Sequence, residues 1–343
     1  MRYIGSKRLL LKQIENVINE NIKSKCSIFC DIFSWTWIVS EFFKDRYIII
    51  SNDLLYFSFV IQRASVMGNI IPDFKKLKKF LKQDPFDYFN NIKITIDSLN
   101  DTPFIYNHYS PNKNSERMYL SNDNALKIDF IRQKLNEWKQ NELLEDTEYY
   151  YLLACLICSV PSYSNIAWTY WAYLKKWDSR ALKKLILEKI EIKDNNRNNI
   201  CYNEDANTLI KSISWDILYI DPPYNTRQYL PNYHLLETIA KYDAPKVYWK
   251  TWMRPYKNVR SKYCIKKDVL NEFEDLIKFA NFKHIIVSYN TEWIMKEEEI
   301  LKTLEKYWKK EKLKIYKIPY RRYKHTKWTT NNNLEELLFY IEK

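Results

Sequence analysis

Residues 217–229 read Ile-Leu-Tyr-Ile-Asp-Pro-Pro-Tyr-Asn-Thr-Arg-Gln-Tyr, and this stretch decides the fold. Its first four residues are apolar and β-prone, a pattern typical of a strand buried on both faces. Asp221 follows where that strand should end, and Pro222 and Pro223 carry the chain out of the sheet because they cannot donate to a ladder. Tyr224 comes next on a stiffened loop. The stretch therefore predicts a carboxylate, two carbonyls and a ring at the carboxyl edge of a sheet, where open α/β folds bind ligands.

A β-α-β pattern opens the chain. Residues 27–33 predict a buried strand, a helix with apolar residues follows, and residues 47–50 predict a second strand. Asn52 and Asp53 close that second strand, about twenty residues beyond the first turn. An acid in this place is typical of a mononucleotide-binding half, in which it hydrogen-bonds ribose hydroxyls. We therefore expect an α/β fold, with a Rossmann-like sheet and helices on both faces.

The pattern changes between residues 62 and 195, where helical periodicity dominates. Basic and aromatic residues interleave there at Tyr170, Tyr173, Lys175, Lys176, Trp177, Arg180 and Lys183. We interpret 62–195 as an inserted, mainly helical DNA-recognition domain, and 1–61 with 196–343 as the catalytic domain. For any single residue, a solvated basic face is the alternative. After 217–220, the sequence predicts a helix over 269–279, a strand over 284–287 and a closing antiparallel pair at 314–323 and 337–341.

The charge balance favours a partner that carries phosphates. The chain has 55 Lys and Arg against 42 Asp and Glu, a formal net charge of +13. That excess is typical of proteins that bind a nucleic-acid backbone. No apolar run is long enough to span a bilayer and no secretory signal is evident, so we expect a soluble, cytoplasmic protein without a membrane partner.

The cysteines predict neither a disulfide scaffold nor a metal site. Six cysteines in 343 residues are too few for the former. Cys155 and Cys158 form a CxxC, but they lie in an apolar helical run without a second pair. We interpret them as core thiols and expect no metal.

On these motifs the chain resembles the Dam-like adenine-N6-specific DNA methyltransferases of the alpha group, over nearly its full length. Residues 3–7 (Tyr-Ile-Gly-Ser-Lys) are similar to the opening cofactor motif of that family, and residues 31–34 (Asp-Ile-Phe-Ser) to its phosphate-loop analogue. Residues 52–53 match the acid that holds the ribose of S-adenosyl-L-methionine, and residues 221–224 match the catalytic loop. The cofactor-binding residues that this resemblance implies are Tyr3, Lys7, Asp31, Phe33, Ser34, Asp53 and Asp221. Asp205 is a further candidate, near the cofactor adenine, with capping of a turn as its alternative.

The resemblance implies methyl transfer to an adenine in double-stranded DNA, within a restriction-modification system of bacterial or phage origin. The base must be flipped out of the duplex to be reached. Asp221 and the Pro222 carbonyl would accept both N6 hydrogens, Pro223 would stiffen the loop, and Tyr224 would stack on the ring for roughly 1–3 kcal/mol. A cognate restriction endonuclease is the expected partner. An RNA substrate is the weaker alternative, excluded by family likeness alone.

One feature departs from the family, because the chain has 2 Gly and 12 Trp. The family's phosphate-loop analogue reads Phe-Ser-Gly-Thr-Gly, since the backbone must turn tightly there, yet this chain has Trp35 and Trp37 at the two glycine positions. Trp also stands where the family favours Gly at Trp168, Trp171, Trp249, Trp252, Trp293 and Trp328.

Two interpretations of the tryptophans stay open. UGA is read as Trp in some genetic codes and as Gly in others, and our hypothesis is that a change of code table put Trp at glycine positions of an active enzyme. Otherwise Trp35 and Trp37 are genuine, they fill the methionine pocket, and the protein is a catalytically inactive DNA-binding relative.

Overall fold

A computed structural model describes residues 5–248, 250–251, 253–290, 294–308, 310–319 and 335–343. The chain forms two compact units. The first comprises Leu55–Asn196 and Tyr229–Val259, and the second comprises Gly5–Leu54, Arg197–Gln228 and Arg260–Lys343.

The second unit is built on one seven-stranded sheet. Its strands are β1 (Ile28–Asp31), β2 (Ile48–Asn52), β3 (Ile200–Tyr202), β4 (Ser214–Ile220), β5 (Asn281–Asn290), β6 (Leu313–Pro319) and β7 (Glu335–Glu342), in the order β3-β2-β1-β4-β5-β7-β6. The first five strands of that order pair in parallel, whereas β7 pairs antiparallel with both β5 and β6.

The helices of the described residues are, in chain order, α1 (Leu11–Asn21), α2 (Ile38–Phe43), α3 (Tyr56–Ser65), α4 (Lys75–Leu81), α5 (Pro85–Asn91), α6 (Phe104–Tyr109), α7 (Asn122–Gln140), α8 (Asp146–Ser159), α9 (Ala206–Leu209), α10 (Tyr229–Lys241), α11 (Val269–Phe279) and α12 (Glu297–Tyr307). A short 3-10 turn, Lys7–Leu10, precedes α1. Helices α3 to α8 and α10 belong to the first unit, and the others to the second.

Apolar side chains cover both faces of the sheet in the second unit. On one face, Phe29 of β1 stacks on Phe43 of α2 with ring centroids 4.6 Å apart. On the other, Leu218 and Ile220 of β4 lie in a buried cluster with Phe273 of α11. Because both faces carry helices, the middle of each central strand is apolar, as residues 217–220 of β4 show.

Most of the predicted elements of this sheet are confirmed. The strands expected at 27–33, 47–50, 217–220 and 284–287 correspond to β1, β2, β4 and β5, and α11 has the predicted bounds. The closing antiparallel pair is β6 and β7, although residues 320–323 lie outside the described part of the chain. The strand β3 was not predicted, since its three residues, Ile-Cys-Tyr, are too few to show a period.

The first unit has its own core around α7 and α8. Trp138 of α7 is 1% exposed and its ring centroid lies 5.2 Å from that of Phe89. Cys155 is buried in α8, and Cys158 is half-buried. The unit contains the predicted 62–195 segment, and it also contains Tyr229–Val259, which the sequence division placed with the catalytic domain.

In the described part of the chain, no helix is long and apolar enough to cross a membrane. Within the same residues, no group of three or more His, Cys, Asp or Glu side chains is arranged to hold a metal ion.

Candidate active site

Three predicted acids lie at one edge of the sheet in the second unit. Asp31 is the last residue of β1, Asp53 directly follows β2, and Asp221 directly follows β4. Because β2, β1 and β4 are parallel neighbours, their carboxyl ends meet at the same edge. Strands that are buried on both faces thus deliver these side chains to the crevice where α/β sheets bind ligands.

Asp221 is paired with Lys7, which precedes α1. Nζ of Lys7 lies 3.2 Å from Oδ1 of Asp221, and the two side chains are 7% and 14% exposed. The same ammonium donates a hydrogen bond to Oε1 of Glu336, a buried residue of β7. It also lies 5.8 Å from the centre of the Tyr224 ring. The structure therefore brings the predicted catalytic acid, the predicted lysine and the predicted aromatic ring together.

Burial and neighbouring charges set the protonation of this pair. Burial raises the pKa of Asp221 to about 7, against the nearby Lys7 ammonium, which lowers it, while the Glu336 carboxylate raises it further. For Lys7, burial acts to lower the pKa, but the carboxylates of Asp221 and Glu336 outweigh it and hold the pKa above its ordinary value. Lys7 is therefore a fixed cation, and Asp221 is a carboxylate that ionises near neutral pH.

The two prolines continue directly from the strand. Pro222 is buried and Pro223 is half-buried, so the loop leaves the sheet against packed surroundings. Tyr224 is partly buried and packs against the apolar cluster that covers one face of the sheet. A ring that is half-exposed on a proline-stiffened loop can offer a flat face to a ligand.

Hydrogen bonds from the turn after β1 tie it to the end of β2. The Ser34 amide donates to the carbonyl of Asn52 at 2.9 Å, and the Trp35 amide donates to Oδ2 of Asp53, also at 2.9 Å. The Trp37 amide donates back to the carbonyl of Ser34 at 2.5 Å. Asp53 thus organises the backbone of this turn.

Two residues of this turn have a left-handed backbone. The φ angle is 24° at Trp35 and 49° at Trp37. A positive φ is costly for any residue that has a Cβ, and glycine is the residue that avoids the cost. By contrast, Trp168 and Trp171 are not among the residues of positive φ. The backbone therefore favours glycine at positions 35 and 37 and not at 168 and 171, although the described part of the chain also has positive φ at six other residues that are not glycine, Phe74, Lys82, Glu142, Asn196, Tyr242 and Ala244.

The two carboxylate oxygens of Asp31 have different surroundings. Oδ2 accepts a hydrogen bond from the Ser40 hydroxyl at 2.8 Å, whereas Oδ1 is buried and has no hydrogen-bond partner among the described residues. The Ser34 hydroxyl donates to the backbone carbonyl of Asp31 at 2.7 Å. Burial raises the pKa of Asp31 to about 7, although the bonds from the serines oppose it. An unsatisfied buried oxygen of this kind is suited to a cationic or hydrogen-bonding ligand.

Phe33 and Asp205 lie beside the same edge, with different surroundings. The Phe33 ring meets the Tyr263 ring edge-on at 5.0 Å, and the Tyr263 hydroxyl donates to Oδ1 of Asn207 at 2.7 Å. Oδ1 of Asp205 accepts from the amides of Asn207 and Thr208, at 3.0 and 3.1 Å, so this carboxylate caps α9. That contact corresponds to the capping alternative for Asp205. Tyr3 lies outside the described residues.

Sequence reasoning missed Glu336 and its neighbour Ser288. The Ser288 hydroxyl, on β5, donates to Oε1 of Glu336 at 2.8 Å. A signal was available: Glu336 begins a run of six buried residues, and a charge inside a buried strand needs a partner. The identity of that partner could not be read from the sequence, because Lys7 lies 329 positions away.

Comparisons of the sequence with known proteins find similar chains. The sequence model of the D12 class of N6 adenine-specific DNA methyltransferases matches residues 3–303. The chain is 50% identical over 343 residues to the type II methyltransferase M.FokI of Planomicrobium okeanokoites, and 41% identical over 343 residues to the modification methylase StsI of Streptococcus sanguinis. Both alignments cover 100% of this chain, which spans about half of those relatives, 53% and 52%. The type II methyltransferase M.NlaIII of Neisseria lactamica is 39% identical over 97% of this chain and 95% of its own length.

Proposed function

Since this chain belongs to the D12 class of N6 adenine-specific DNA methyltransferases, we propose that it methylates N6 of specific adenines in double-stranded DNA, with S-adenosyl-L-methionine as the donor. The observation that carries the proposal is the mostly buried Asp221 at the end of β4, paired with Lys7 and followed by Pro222, Pro223 and Tyr224. Such a site can accept hydrogen bonds, carry a negative charge near neutral pH and stack on a flat ring.

The proposed role of the loop is to prepare the adenine amino group. Its nitrogen is a poor nucleophile because its lone pair is delocalised into the ring. Asp221 and the Pro222 carbonyl accept the two N6 hydrogens of a flipped adenine, which pushes the nitrogen toward tetrahedral geometry. Tyr224 stacks on the base, a contact worth roughly 1–3 kcal/mol. Positioning supplies much of the acceleration, and Pro223 keeps the loop rigid for it.

The acids at the other end of the edge fit the proposed cofactor. S-adenosyl-L-methionine, when bound, supplies an electrophilic methyl group and carries a sulfonium and an ammonium. The free Oδ1 of Asp31 is suited to one of these cations, and the Asp53 carboxylate to the ribose hydroxyls. Phe33 and Ser34 line the turn between them. Tyr3 and Lys7 are assigned to the cofactor by family likeness alone, and so is Asp205.

The turn that would hold the cofactor carries indoles at Trp35 and Trp37, where the family has glycine. Their φ angles of 24° and 49° support the hypothesis that both are glycine in the natural protein. The other tryptophans divide into two groups. Trp138 is 1% and Trp308 8% exposed, as genuine core residues would be, whereas Trp168 and Trp171 are 40% and 57% exposed. Trp249, Trp252, Trp293 and Trp328 lie outside the described residues.

We assign target recognition to residues 62–195. Lys175, Lys176 and Lys183 are exposed there, and the net charge of the chain is +13, which together suit a DNA backbone. Tyr170 is 1% exposed, so it packs in the core and is not available for stacking on bases. The modification methylases among the relatives favour a restriction-modification role, with a cognate endonuclease as partner and the cytoplasm as location.

Methylation of DNA by a glycine-restored protein tests the function. The variant Trp35→Gly/Trp37→Gly is incubated with unmethylated DNA and S-adenosyl-L-methionine, and nucleosides are analysed by mass spectrometry. We expect N6-methyladenine, and none from the same variant carrying Asp221→Ala. A folded protein that binds the cofactor but makes no N6-methyladenine would refute the assignment.

Calorimetry of the chain that retains Trp35 and Trp37 tests the alternative. If S-adenosyl-L-methionine does not bind, the cofactor site is blocked, as expected of an inactive DNA-binding relative. If it binds, the site is open.

A further inference from the structure

Glu336 is a buried carboxylate beside the Asp221 loop, and it belongs to none of the sequence motifs. It lies on β7, paired with Asn290 of β5, and its side chain is 3% exposed. It accepts hydrogen bonds from the Ser288 hydroxyl and from the Lys7 ammonium. A carboxylate at this depth is tolerated only with such partners, because its desolvation is costly.

The Lys7 ammonium contacts two carboxylates, those of Glu336 and Asp221, and the two contacts differ. Nζ of Lys7 donates a hydrogen bond to Oε1 of Glu336 and lies 3.2 Å from Oδ1 of Asp221. In the described part of the chain, that Asp221 oxygen has no hydrogen-bond partner. The Lys7 ammonium is thus close to both carboxylates, and its hydrogen bond is directed at Glu336 while its charge acts on Asp221.

We propose that Glu336 is a positioning residue for methyl transfer, which holds the Lys7 ammonium beside Asp221 and keeps the Asp221 oxygens open to the adenine amino group. The proposal rests on the proposed function. An Asp221 oxygen that accepted a hydrogen bond from Lys7 would have fewer lone pairs for the N6 hydrogens. An Asp221 without the cation would be protonated more readily and could not accept both. Glu336 meets the first need, because it takes the hydrogen bond of Lys7. The Lys7 charge meets the second need, and the charge of Glu336 offsets it only in part.

Several elements bring charged or titratable groups to Asp221. They are Lys7 ahead of α1, Asp31 of β1, Tyr219 of β4, Glu336 of β7 and Tyr224 of the loop itself. The Lys7 charge lowers the pKa of Asp221, and the charges of Glu336 and Asp31 raise it. Neutralising position 7 and neutralising position 336 should therefore move this pKa in opposite directions, a result that loss of packing would not produce.

The test uses the Trp35→Gly/Trp37→Gly protein as parent, with Glu336→Gln, Lys7→Met and the control Glu342→Gln. Glu342 ends the same strand and its side chain is 46% exposed. The pKa of Asp221 is followed by NMR of ¹³C-carboxyl aspartate, assigned with Asp221→Asn, and kcat is measured across pH. We expect the pKa to fall by about one unit in Glu336→Gln, to rise by about one unit in Lys7→Met, and to stay unchanged in the control. We also expect kcat of Glu336→Gln to fall roughly tenfold above pH 8, where Asp221 is ionised in both proteins, because Lys7 then hydrogen-bonds to Asp221 directly.

An Asp221 pKa that does not move in Glu336→Gln overturns the proposal, whether or not kcat falls, since a fall alone indicates structural support. A moved pKa with an unchanged kcat also overturns it. The NMR titration needs no turnover, so a parent that makes no N6-methyladenine counts against the proposed function and not against the placement of the ammonium. If Glu336→Gln does not fold, the NMR titration of Asp221 in Ser288→Ala tests the proposal instead. Without the hydroxyl, Glu336 draws Lys7 away from Asp221, and the pKa of Asp221 must rise.

Discussion

At the scale of single residues, the site depends on the protonation of one carboxylate. Asp221 is removed from water, and Lys7 at 3.2 Å recovers only part of the free energy that its charge loses there. A pKa of about 7 is the result. Ionised Asp221 accepts two hydrogens, whereas protonated Asp221 is itself a donor.

The rate of methylation should therefore rise with pH through about 7. The carboxylate is protonated below its raised pKa and ionised above it, so kcat is expected to fall about tenfold for each pH unit below about 6 and to level above about 8. Single-turnover measurements with the glycine-restored protein between pH 5.5 and 9 give the profile. A rate that stays constant down to pH 5.5 would show that Asp221 titrates near its ordinary value.

Trp138 allows a test of the proposed division between core tryptophans and tryptophans that stand for glycine. Its indole is 1% exposed and lies against Tyr88 and Phe89. We expect Trp138→Ala to lower the free energy of unfolding by about 3–5 kcal/mol, because it leaves a cavity. Trp171→Gly, at a 57% exposed indole, is the control and should cost far less. Urea denaturation followed by circular dichroism measures both, and equal losses would contradict this division of the tryptophans.

At the scale of elements, we propose that the turn between β1 and α2 decides whether S-adenosyl-L-methionine can bind. Asp53 fixes the turn through the Trp35 amide, and the backbone then has positive φ at two positions. The Cβ atoms strain this backbone, and in our proposal the indoles obstruct the methionine moiety of the cofactor. These two effects can be separated by substitution.

A comparison of two double variants makes that separation. Trp35→Gly/Trp37→Gly removes both the indoles and the Cβ atoms, whereas Trp35→Ala/Trp37→Ala removes the indoles alone. We expect the glycine protein to bind S-adenosyl-L-methionine and the alanine protein to bind it more weakly, since each Cβ at positive φ costs about 1 kcal/mol. Isothermal titration calorimetry gives both affinities. Equal affinities would mean that the bulk of the indoles, and not the backbone, is the obstacle.

At the scale of the whole molecule, the basic charge should govern binding to DNA. Lys175 and Lys176 are exposed in the first unit, in the segment assigned to target recognition. We expect Lys175→Gln/Lys176→Gln to weaken DNA binding and to reduce the slope of log K against log salt by about two, near 0.9 per lost phosphate contact. The control, Lys23→Gln/Lys25→Gln, removes the same charge from the second unit. A fluorescence anisotropy series in salt that gives the same slope for both variants would contradict the assignment.

The sequence predicted the parts of this molecule that local pattern determines. Residues 217–220 lie in a central strand and Asp221 follows at its carboxyl end, as expected. An apolar run that ends in Asp-Pro-Pro predicts this position, because proline cannot continue the ladder. The insertion of β7 between β5 and β6 could not be foreseen, since a strand does not encode its neighbours locally. For the same reason Glu336 was missed, and Tyr170 was taken as a candidate for DNA contact although it is buried.

The antiparallel direction of β7 has a consequence for the order of assembly. It brings the start of the strand, and not its end, to the edge where Asp221 lies. The contact between Lys7 and Glu336 closes a separation of 329 residues, and contacts of such long range form late because loop closure must come first. An intermediate that has formed β1, β2 and β4 without β7 would contain Asp31, Asp53 and Asp221, but it would lack the Glu336 carboxylate that holds Lys7. We therefore expect catalytic competence to appear when β7 pairs with β5, so that recovery of activity during refolding reports this pairing.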